Sequence, residues 1–215
     1  MLCLLDLETA PIADYAQYLD PVKPAGNLKD PVKIAASIAE KEADRIETLA
    51  TDPYLCRIVA VGFQIDDGIR GVVADVAANV NVEAVLIDSL YTLWVDGNLT
   101  PCGFCSRTYD HPVLNTRARL LGVHIPKRFR TVTRWSDNVV DLYDIVTFGD
   151  PRSERIMRRG LVSMCRRFGI NIPSDDIKGV DIAAAVAEER WEDIRRHVSL
   201  DVQRTRELAK RLGVE

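Results

Sequence analysis

Several acidic residues and one histidine have spacings that could serve metal chemistry. Asp6 and Glu8 are two residues apart in a short apolar stretch, and side chains with that spacing share one face of a β-strand. Carboxylate oxygens are the ligands that hard cations such as Mg²⁺ prefer. A chain this acidic contains about one such pair by chance, so the pair alone is equally typical of a solvated strand end.

Two further candidates lie later in the chain. Asp110 follows a predicted strand and opens a predicted helix, where aspartate is also a favoured helix cap. His197 and Asp201 are four residues apart in the predicted C-terminal helix, so their side chains lie on one face of it. This spacing also suits an ordinary surface pair. Because Thr205 and Leu208 continue the same face, we expect it to turn inward.

The elements that must position these residues follow a definite order. Apolar runs and turn signals predict strands at residues 2–5, 57–65, 69–74, 100–105 and 138–142, and helices at 30–51, 82–95, 110–121, 153–168 and 191–212. Residues 66–68 (Asp-Asp-Gly) predict a hairpin turn, and residues 11–55 form an excursion between the first two strands. A three-stranded antiparallel unit followed by helix-connected parallel strands predicts an α/β fold. It matches the ribonuclease H-like architecture, a mixed sheet flanked by helices.

The composition is that of a globular protein with a full core. The chain has 215 residues, of which 47% are hydrophobic and 28% charged, and we expect one domain over residues 1–215. No apolar run approaches the roughly 18 residues that span a bilayer, and acids at positions 6 and 8 are unlike a signal peptide. We therefore expect a cytoplasmic protein without a membrane partner.

The cysteines offer a competing interpretation. Their number, five, is odd, and the chain is large enough to fold without disulfides. Cys102 and Cys105 form a C-x-x-C pair, which would suit a redox protein. The pair lies in a predicted strand rather than at a helix start, and no second pair completes a zinc site. This position favours structural cysteines.

Three segments resemble, in the right order, the motifs of the DEDD superfamily of 3′–5′ exonucleases. DLET begins at Asp6, F-x-x-x-x-Y-D-x-P-x-L-x-x-R runs from Phe104 to Arg117, and H-x-x-x-D-V-x-x-T begins at His197. Residues 24–34 and 174–181 also resemble stretches of one subgroup. That subgroup comprises predicted exonucleases similar to the proofreading domain of family B DNA polymerases. The resemblance covers nearly the whole chain and implies a ribonuclease H-like fold.

The resemblance implies a phosphodiester hydrolase that releases 5′-mononucleotides from the 3′ end of DNA or RNA by a two-metal mechanism. Two Mg²⁺ or Mn²⁺ ions would be held by Asp6, Glu8, Asp110 and Asp201, and His197 would complete the catalytic set. The partner would be nucleic acid with a free 3′ end. We expect single-stranded DNA, with action in trans beside a polymerase. The residues expected to contact it are Thr9, Phe104, Ser106, Arg128 and Arg130.

The last two of these residues belong to the basic half of the chain. Residues 1–106 hold 7 basic and 16 acidic residues, whereas residues 107–215 hold 21 and 16. The basic stretches 127–134 and 152–167 are candidate phosphate-binding tracks, and Phe129 and Trp135 are candidates to stack on bases. Solvated helix faces and core aromatic residues fit the same pattern.

Two departures from the superfamily pattern bear on activity. His197 takes the place, four residues before the last aspartate, that is usually tyrosine in one branch, whereas the histidine branch has its histidine five before. Because a neutral imidazole can accept a proton from metal-bound water, we expect His197 to act as a general base. Cys105 and Ser106 stand where many relatives carry an asparagine that helps to hold the terminal nucleotide. The alternative function is therefore a weak or inactive nuclease-like module that binds nucleic acid, although the intact set of four acids favours the enzyme.

Overall fold

The structure is a computed structural model that describes residues 1–66, 68, 70–74, 80–133, 136–147, 160–171, 173 and 177–214, apart from the side chains of residues 46, 47, 74 and 80. Some predicted features fall outside these residues. They are residue 67 of the hairpin turn, residue 69 of the third strand, residue 134 of the first basic stretch and the nearby Trp135, residues 152–159 of the second basic stretch, which include residues 153–159 of the predicted helix, and residues 174–176 of a resembling segment.

A mixed sheet forms the centre of the described protein. Its strands are β1 (Leu2–Pro11), β2 (Cys56–Ile65), β3 (Arg70–Ala74), β4 (Thr100–Gly103) and β5 (Val140–Asp141), in the spatial order β3-β2-β1-β4-β5. The pairs β1–β2 and β2–β3 are antiparallel, whereas β1–β4 and β4–β5 are parallel. The predicted α/β architecture, with an antiparallel unit followed by parallel strands, is therefore confirmed.

Seven described α-helices accompany the sheet. They are α1 (Pro31–Leu49), α2 (Val80–Asp96), α3 (Asp110–Leu120), α4 (Leu142–Val146), α5 (Leu161–Arg167), α6 (Ile182–Ala187) and α7 (Trp191–Leu212). Short 3-10 turns lie at Tyr15–Tyr18, Lys127–Phe129 and Gly179–Asp181. No helix in the described ranges is long and apolar enough to cross a bilayer.

Local chemistry explains where the excursion helix and the last helix begin and end. The Asp30 carboxylate accepts the Val32 N–H at 2.9 Å, and Pro31 occupies the first helical position of α1. Gly213 follows α7 in a left-handed conformation with φ 67°, which glycine adopts without strain. Both helices thus lie within one or two residues of their predicted bounds.

Strand β1 is buried on both faces of the sheet. Leu5 and Leu7 pack in a core cluster with residues of α2 and α3, including Trp94. Leu4 points to the opposite face and packs with Val202 of α7. Because side chains alternate along a strand, Asp6 and Glu8 share the face of Leu4 and look towards α7.

The prediction that these acids end the first strand is wrong. β1 continues to Pro11, so Asp6 and Glu8 lie within it. An apolar run stops at the first acid, but a strand continues wherever its backbone stays paired, and residues 3–11 all pair with β2.

Helix α7 approaches the sheet closely at Gly62. This glycine is the cross-strand partner of Asp6. A Cβ atom added to it would lie 2.8 Å from Val202 Cγ2 and 3.0 Å from Val198 Cγ2, closer than side chains pack. The missing side chain therefore lets α7 pack closely against β2 at this point, beside Asp6 of the neighbouring strand β1.

A buried ion pair connects the helices on the other face of the sheet. The Arg117 guanidinium donates to both carboxylate oxygens of Glu83, at 2.8 and 2.7 Å. Glu83 also accepts the backbone N–H of Ile58 at 3.0 Å. The arginine at the end of the middle resembling segment thus joins α3 to α2 and β2, and so supports the helix that begins at Asp110.

Candidate metal and nucleic-acid site

A cleft of about 380 Å³ opens between β1, the start of α3 and the middle of α7. Its lining includes all five residues predicted to be catalytic: Asp6, Glu8, Asp110, His197 and Asp201. They come from three elements that are far apart in the chain. The fold therefore brings together the acids that the sequence analysis selected.

Three of these residues have potential metal-ligand atoms that lie close to one another. His197 Nε2 lies 3.2 Å from Glu8 Oε1 and 3.8 Å from Asp201 Oδ2. One ligand atom from each residue fits within a group whose members are all within 4.8 Å of one another. Glu8 and His197 are buried and Asp201 is half-buried, so the group lies at the inner wall of the cleft.

Asp6 gives the clearest indication that this cleft suits a cation. Its Oδ2 atom is buried and finds no hydrogen-bond partner among the described residues. Burial raises the pKa of the Asp6 carboxyl well above its usual range, and the charges of Glu8, Asp201 and Asp110 raise it further, whereas Arg204 lowers it. Removing an acid from water among like charges disfavours its ionised form.

Asp110 is the first residue of α3 and is only 3% exposed. Burial raises the pKa of its carboxyl, followed by the charges of Asp141 and Glu8, and a hydrogen bond with the Leu7 backbone opposes the rise. The described protein thus surrounds the Asp6 and Asp110 carboxyls with more negative than positive charge. Since their donors are oxygen atoms, which hard cations prefer, the residues present fit divalent metal ions.

The sequence analysis missed Arg204, which lies one helical turn after Asp201. It is 3% exposed, its Nη1 donates to Asp201 Oδ1, and its Nη2 donates to the Pro173 carbonyl at 3.0 Å. The guanidinium therefore holds one carboxylate oxygen of Asp201 and leaves Oδ2 on the side of His197. An acid and an arginine three residues apart in a helix lie on the same face, and this spacing is the sequence signal that could have identified Arg204.

Asp141 was also missed, because it lay inside a predicted strand. Its Oδ1 accepts the backbone N–H groups of Cys105 and Tyr143, and its Oδ2 accepts that of Arg107, each at 2.9 Å. Cys105 has φ 61°, a left-handed conformation that asparagine adopts more readily than cysteine. The buried carboxylate thus fixes the loop that leads from β4 to Asp110.

The residues predicted to contact nucleic acid are dispersed. Phe104 lines the cleft and packs edge-on against Tyr143, with ring centroids 5.4 Å apart. The Thr9 hydroxyl is buried and forms hydrogen bonds with the Ala50 carbonyl and the Tyr109 hydroxyl. Ser106 is 1% exposed and belongs to the loop between β4 and Asp110. The contacts of these three residues with nucleic acid stay predictions.

Arg128 and Arg130 of the first basic stretch lie away from the cleft. The Arg128 guanidinium donates to the carbonyls of Trp94 and Leu99, at the start of β4, whereas the cleft lies beyond the other end of that strand. Arg130 donates to the Ile125 carbonyl at 3.0 Å. The expectation that Phe129 stacks on bases is wrong, because the ring is fully buried in the core. The structure does not bring Arg128 and Arg130 to the acids.

The cysteines show no redox arrangement. All five are free thiols, and Cys102 is fully buried while Cys105 is only partly so. Burial raises the pKa of the Cys102 thiol to about 12. A redox-active cysteine needs a stabilised thiolate, so this environment opposes the redox interpretation.

Comparison with known proteins agrees with the geometry. The family described as predicted 3′–5′ exonucleases related to the exonuclease domain of PolB matches residues 51–209. That range contains Asp110, His197 and Asp201, whereas Asp6 and Glu8 precede it. No curated protein matches the chain.

The fold is also similar to a solved polymerase structure. The family B DNA polymerase of the hyperthermophilic archaeon Pyrobaculum calidifontis has a TM-score of 0.65 and 18% sequence identity. The similarity covers 99% of this chain but only 24% of the polymerase chain. Since the family match spans most of the 215 residues, the chain belongs to the family of predicted 3′–5′ exonucleases related to the exonuclease domain of PolB.

Proposed function

We propose that this protein hydrolyses the terminal phosphodiester bond at the 3′ end of a nucleic acid, with two bound Mg²⁺ or Mn²⁺ ions, and releases 5′-mononucleotides. One observation carries the proposal. Asp6, Glu8, Asp110 and Asp201 line one cleft, and a buried oxygen of Asp6 finds no hydrogen-bond partner in the described protein.

The four carboxylates would hold the ions, since their charges balance those of two divalent cations. When bound, two such ions activate the attacking water and stabilise the leaving 3′ oxygen. The other residues of the cleft prepare the site for this chemistry. Arg204 orients Asp201, and Asp141 holds the loop that ends at Asp110.

The cleft favours a single-stranded end as substrate. Its volume of about 380 Å³ lies near the lower limit of ordinary ligand pockets, which suits one terminal nucleotide better than a paired end. Phe104 and Tyr109 line it with aromatic rings, and aromatic rings stack on bases of any sequence. Single-stranded DNA, action in trans beside a polymerase and a cytoplasmic location are parts of the same proposal.

Labelled oligonucleotides test the proposal. Strands labelled at the 3′ or the 5′ end are incubated with Mg²⁺, Mn²⁺ or a chelator, and the products are resolved by length. We expect labelled mononucleotides to appear at once from the 3′ label, a shortening ladder from the 5′ label, and neither in chelator. Internal fragments, or activity in chelator, would contradict the proposal.

A matched pair of variants makes the test specific. Asp6→Ala should lower the rate by at least about 10³-fold, because loss of metal stabilisation is worth several kcal/mol. Asp88→Ala, an exposed acid of α2, should leave the rate unchanged. If Asp6→Ala cuts as fast as the parent, Asp6 is not part of the catalytic site.

The second candidate function is the binding module without hydrolysis. The observation that favours it is Cys105, which lines the cleft where many relatives carry a nucleotide-binding asparagine. Tight binding of a 3′ end with no product in Mn²⁺ would support this candidate and overturn the enzyme.

A further inference from the structure

We infer that Nε2 of His197 binds one of the metal ions directly, so that the site prefers a divalent transition-metal ion to Mg²⁺. The inference rests on the proposed function, because it concerns the metal site of the same cleft. It departs from the family resemblance, which implies carboxylate ligands alone and a histidine that accepts a proton.

The spacing of three donor atoms carries the inference. His197 Nε2 lies 3.2 Å from Glu8 Oε1 and 3.8 Å from Asp201 Oδ2. Metal bonds of about 2.1 Å place neighbouring ligand atoms about 3.0 Å apart in octahedral geometry and about 3.4 Å apart in tetrahedral geometry. The third pair, Glu8 and Asp201, lies within 4.8 Å, so the three ligand atoms can share one ion if they move closer together.

The surroundings of this group also indicate a cation. Glu8 and His197 are buried at the base of the cleft. Asp6, on the same face of β1 as Glu8, has a buried Oδ2 atom that finds no partner in the described part of the chain. A buried polar atom without a partner costs free energy. A cation near Glu8 and Asp6 would give the Asp6 oxygen a partner.

The donor type determines which ion is favoured. Mg²⁺ demands oxygen ligands and retains much of its water, whereas an imidazole nitrogen suits first-row transition metals. The tyrosine that one branch of the superfamily has at this position supplies no such nitrogen. Histidine at position 197 would therefore shift the metal preference of the site from Mg²⁺ towards Mn²⁺ and the later first-row transition-metal ions.

Electron paramagnetic resonance (EPR) of bound Mn²⁺, recorded without nucleic acid, tests the inference independently of hydrolysis. Pulsed spectra of the parent should show nitrogen hyperfine coupling, and Mg²⁺ should compete weakly. His197→Ala should abolish the coupling and weaken Mn²⁺ binding at least tenfold, about 1.4 kcal/mol. His124→Ala, which removes an exposed histidine, should change neither.

A second variant guards against misfolding. His197→Phe keeps a ring of similar shape without a donor atom, and circular dichroism checks that it folds. Mn²⁺ bound by the parent without nitrogen coupling would overturn the inference. So would a ratio of Mn²⁺ to Mg²⁺ affinity that is the same in the parent, His197→Ala and His197→Phe.

The same spectra separate this inference from the proposed function. Nitrogen coupling that His197→Ala removes, in a protein that leaves oligonucleotides intact, would support the inference and overturn the proposed function alone. Failure to bind Mn²⁺ at all would overturn both.

Discussion

The carboxylate of Asp141 accepts the backbone N–H of Cys105 at 2.9 Å, although 36 residues separate the two in the chain. The same carboxylate accepts the N–H of Arg107 and caps α4 at Tyr143. One buried acid outside the metal group therefore holds the wall of the cleft and the segment that leads to Asp110.

Asp141→Asn should weaken this loop. The amide has only one acceptor oxygen, so one backbone N–H loses its partner, at a cost of about 1–3 kcal/mol in unfolding free energy. We also expect a higher KM for oligonucleotides, because Phe104 and Cys105 line the cleft. Urea unfolding and steady-state kinetics measure the two effects.

Asp144→Asn is the control, since Asp144 binds the Arg107 side chain at 2.7 Å and is less buried than Asp141. Its effect on KM should be smaller. If Asp141→Asn loses stability but keeps the parent's KM, Asp141 supports the fold without shaping the cleft.

Asp6→Asn should stabilise the metal-free protein. The raised pKa of Asp6 means that the folded chain holds this proton more tightly than the unfolded chain. The parent therefore loses unfolding free energy as pH rises from the unfolded pKa, about 3.9, through the raised value, and does not regain it above. Since asparagine carries no charge, the variant escapes this loss.

The measurement is urea unfolding in chelator over a pH series. The stability advantage of Asp6→Asn should be greatest above the raised pKa and should vanish in acid. Saturating Mn²⁺ should reverse the order of stability, because binding to the folded state stabilises the parent more. An advantage that is the same at every pH would contradict the assignment of a destabilising charge to Asp6.

His197→Ala should slow hydrolysis whether the histidine is a metal ligand or a general base, and loss of a general base usually costs about 10²–10⁴-fold. The two roles considered for His197 differ in what restores the rate. A lost ligand is partly compensated by excess Mn²⁺, whereas a lost base is not and also removes the acidic limb of the pH–rate profile. We expect rescue by Mn²⁺, and partial activity in His197→Tyr.

A pH–rate series at low and high Mn²⁺ concentration, for the parent and both variants, distinguishes these roles. A rate in His197→Ala that equals the parent's under all conditions would leave His197 with neither role.

Lys178→Glu should reduce the salt dependence of nucleic-acid binding. Lys178 is exposed and lines the same cleft as the acids. Loss of one phosphate contact lowers the slope of log affinity against log salt by about 0.7 for a single strand. Arg130→Glu should change the slope less, because that guanidinium binds the Ile125 carbonyl away from the cleft.

Affinity for a labelled strand, measured in chelator at several salt concentrations, provides the comparison. A full reduction in Arg130→Glu with none in Lys178→Glu would restore the sequence-based expectation and place the strand along the basic stretch instead.

Features that are encoded by neighbouring residues could be predicted from the sequence. The helical period and the terminal glycine of α7 are local, and they located His197 and Asp201 on an inward face. Motif order was sufficient to select the five residues that line the cleft. The division of the sheet into an antiparallel unit and parallel strands followed from the order of strands and helices along the chain, whereas the spatial order of the strands was not predicted.

Signals that depend on distant partners were not readable. The only local contact of Asp141 among the described residues is its cap of α4 at Tyr143, whereas its two partners in the loop, Cys105 and Arg107, precede it by more than thirty positions. Arg128 and Arg130 were selected for their charge, but a guanidinium also binds main-chain carbonyls, and theirs do. The number of charged residues in a segment does not distinguish an arginine that binds phosphate from one whose guanidinium binds main-chain carbonyls.

Gly62 has a consequence for how relatives of this protein should be judged. It carries no functional group, yet α7 rests on it across from Asp6. A relative could keep every acid and the histidine and still have them too far apart, if a larger residue at this position lifts the helix from the strand. Possession of the motif residues is therefore an incomplete criterion for an assembled site, and the residue beneath the helix belongs in the diagnosis.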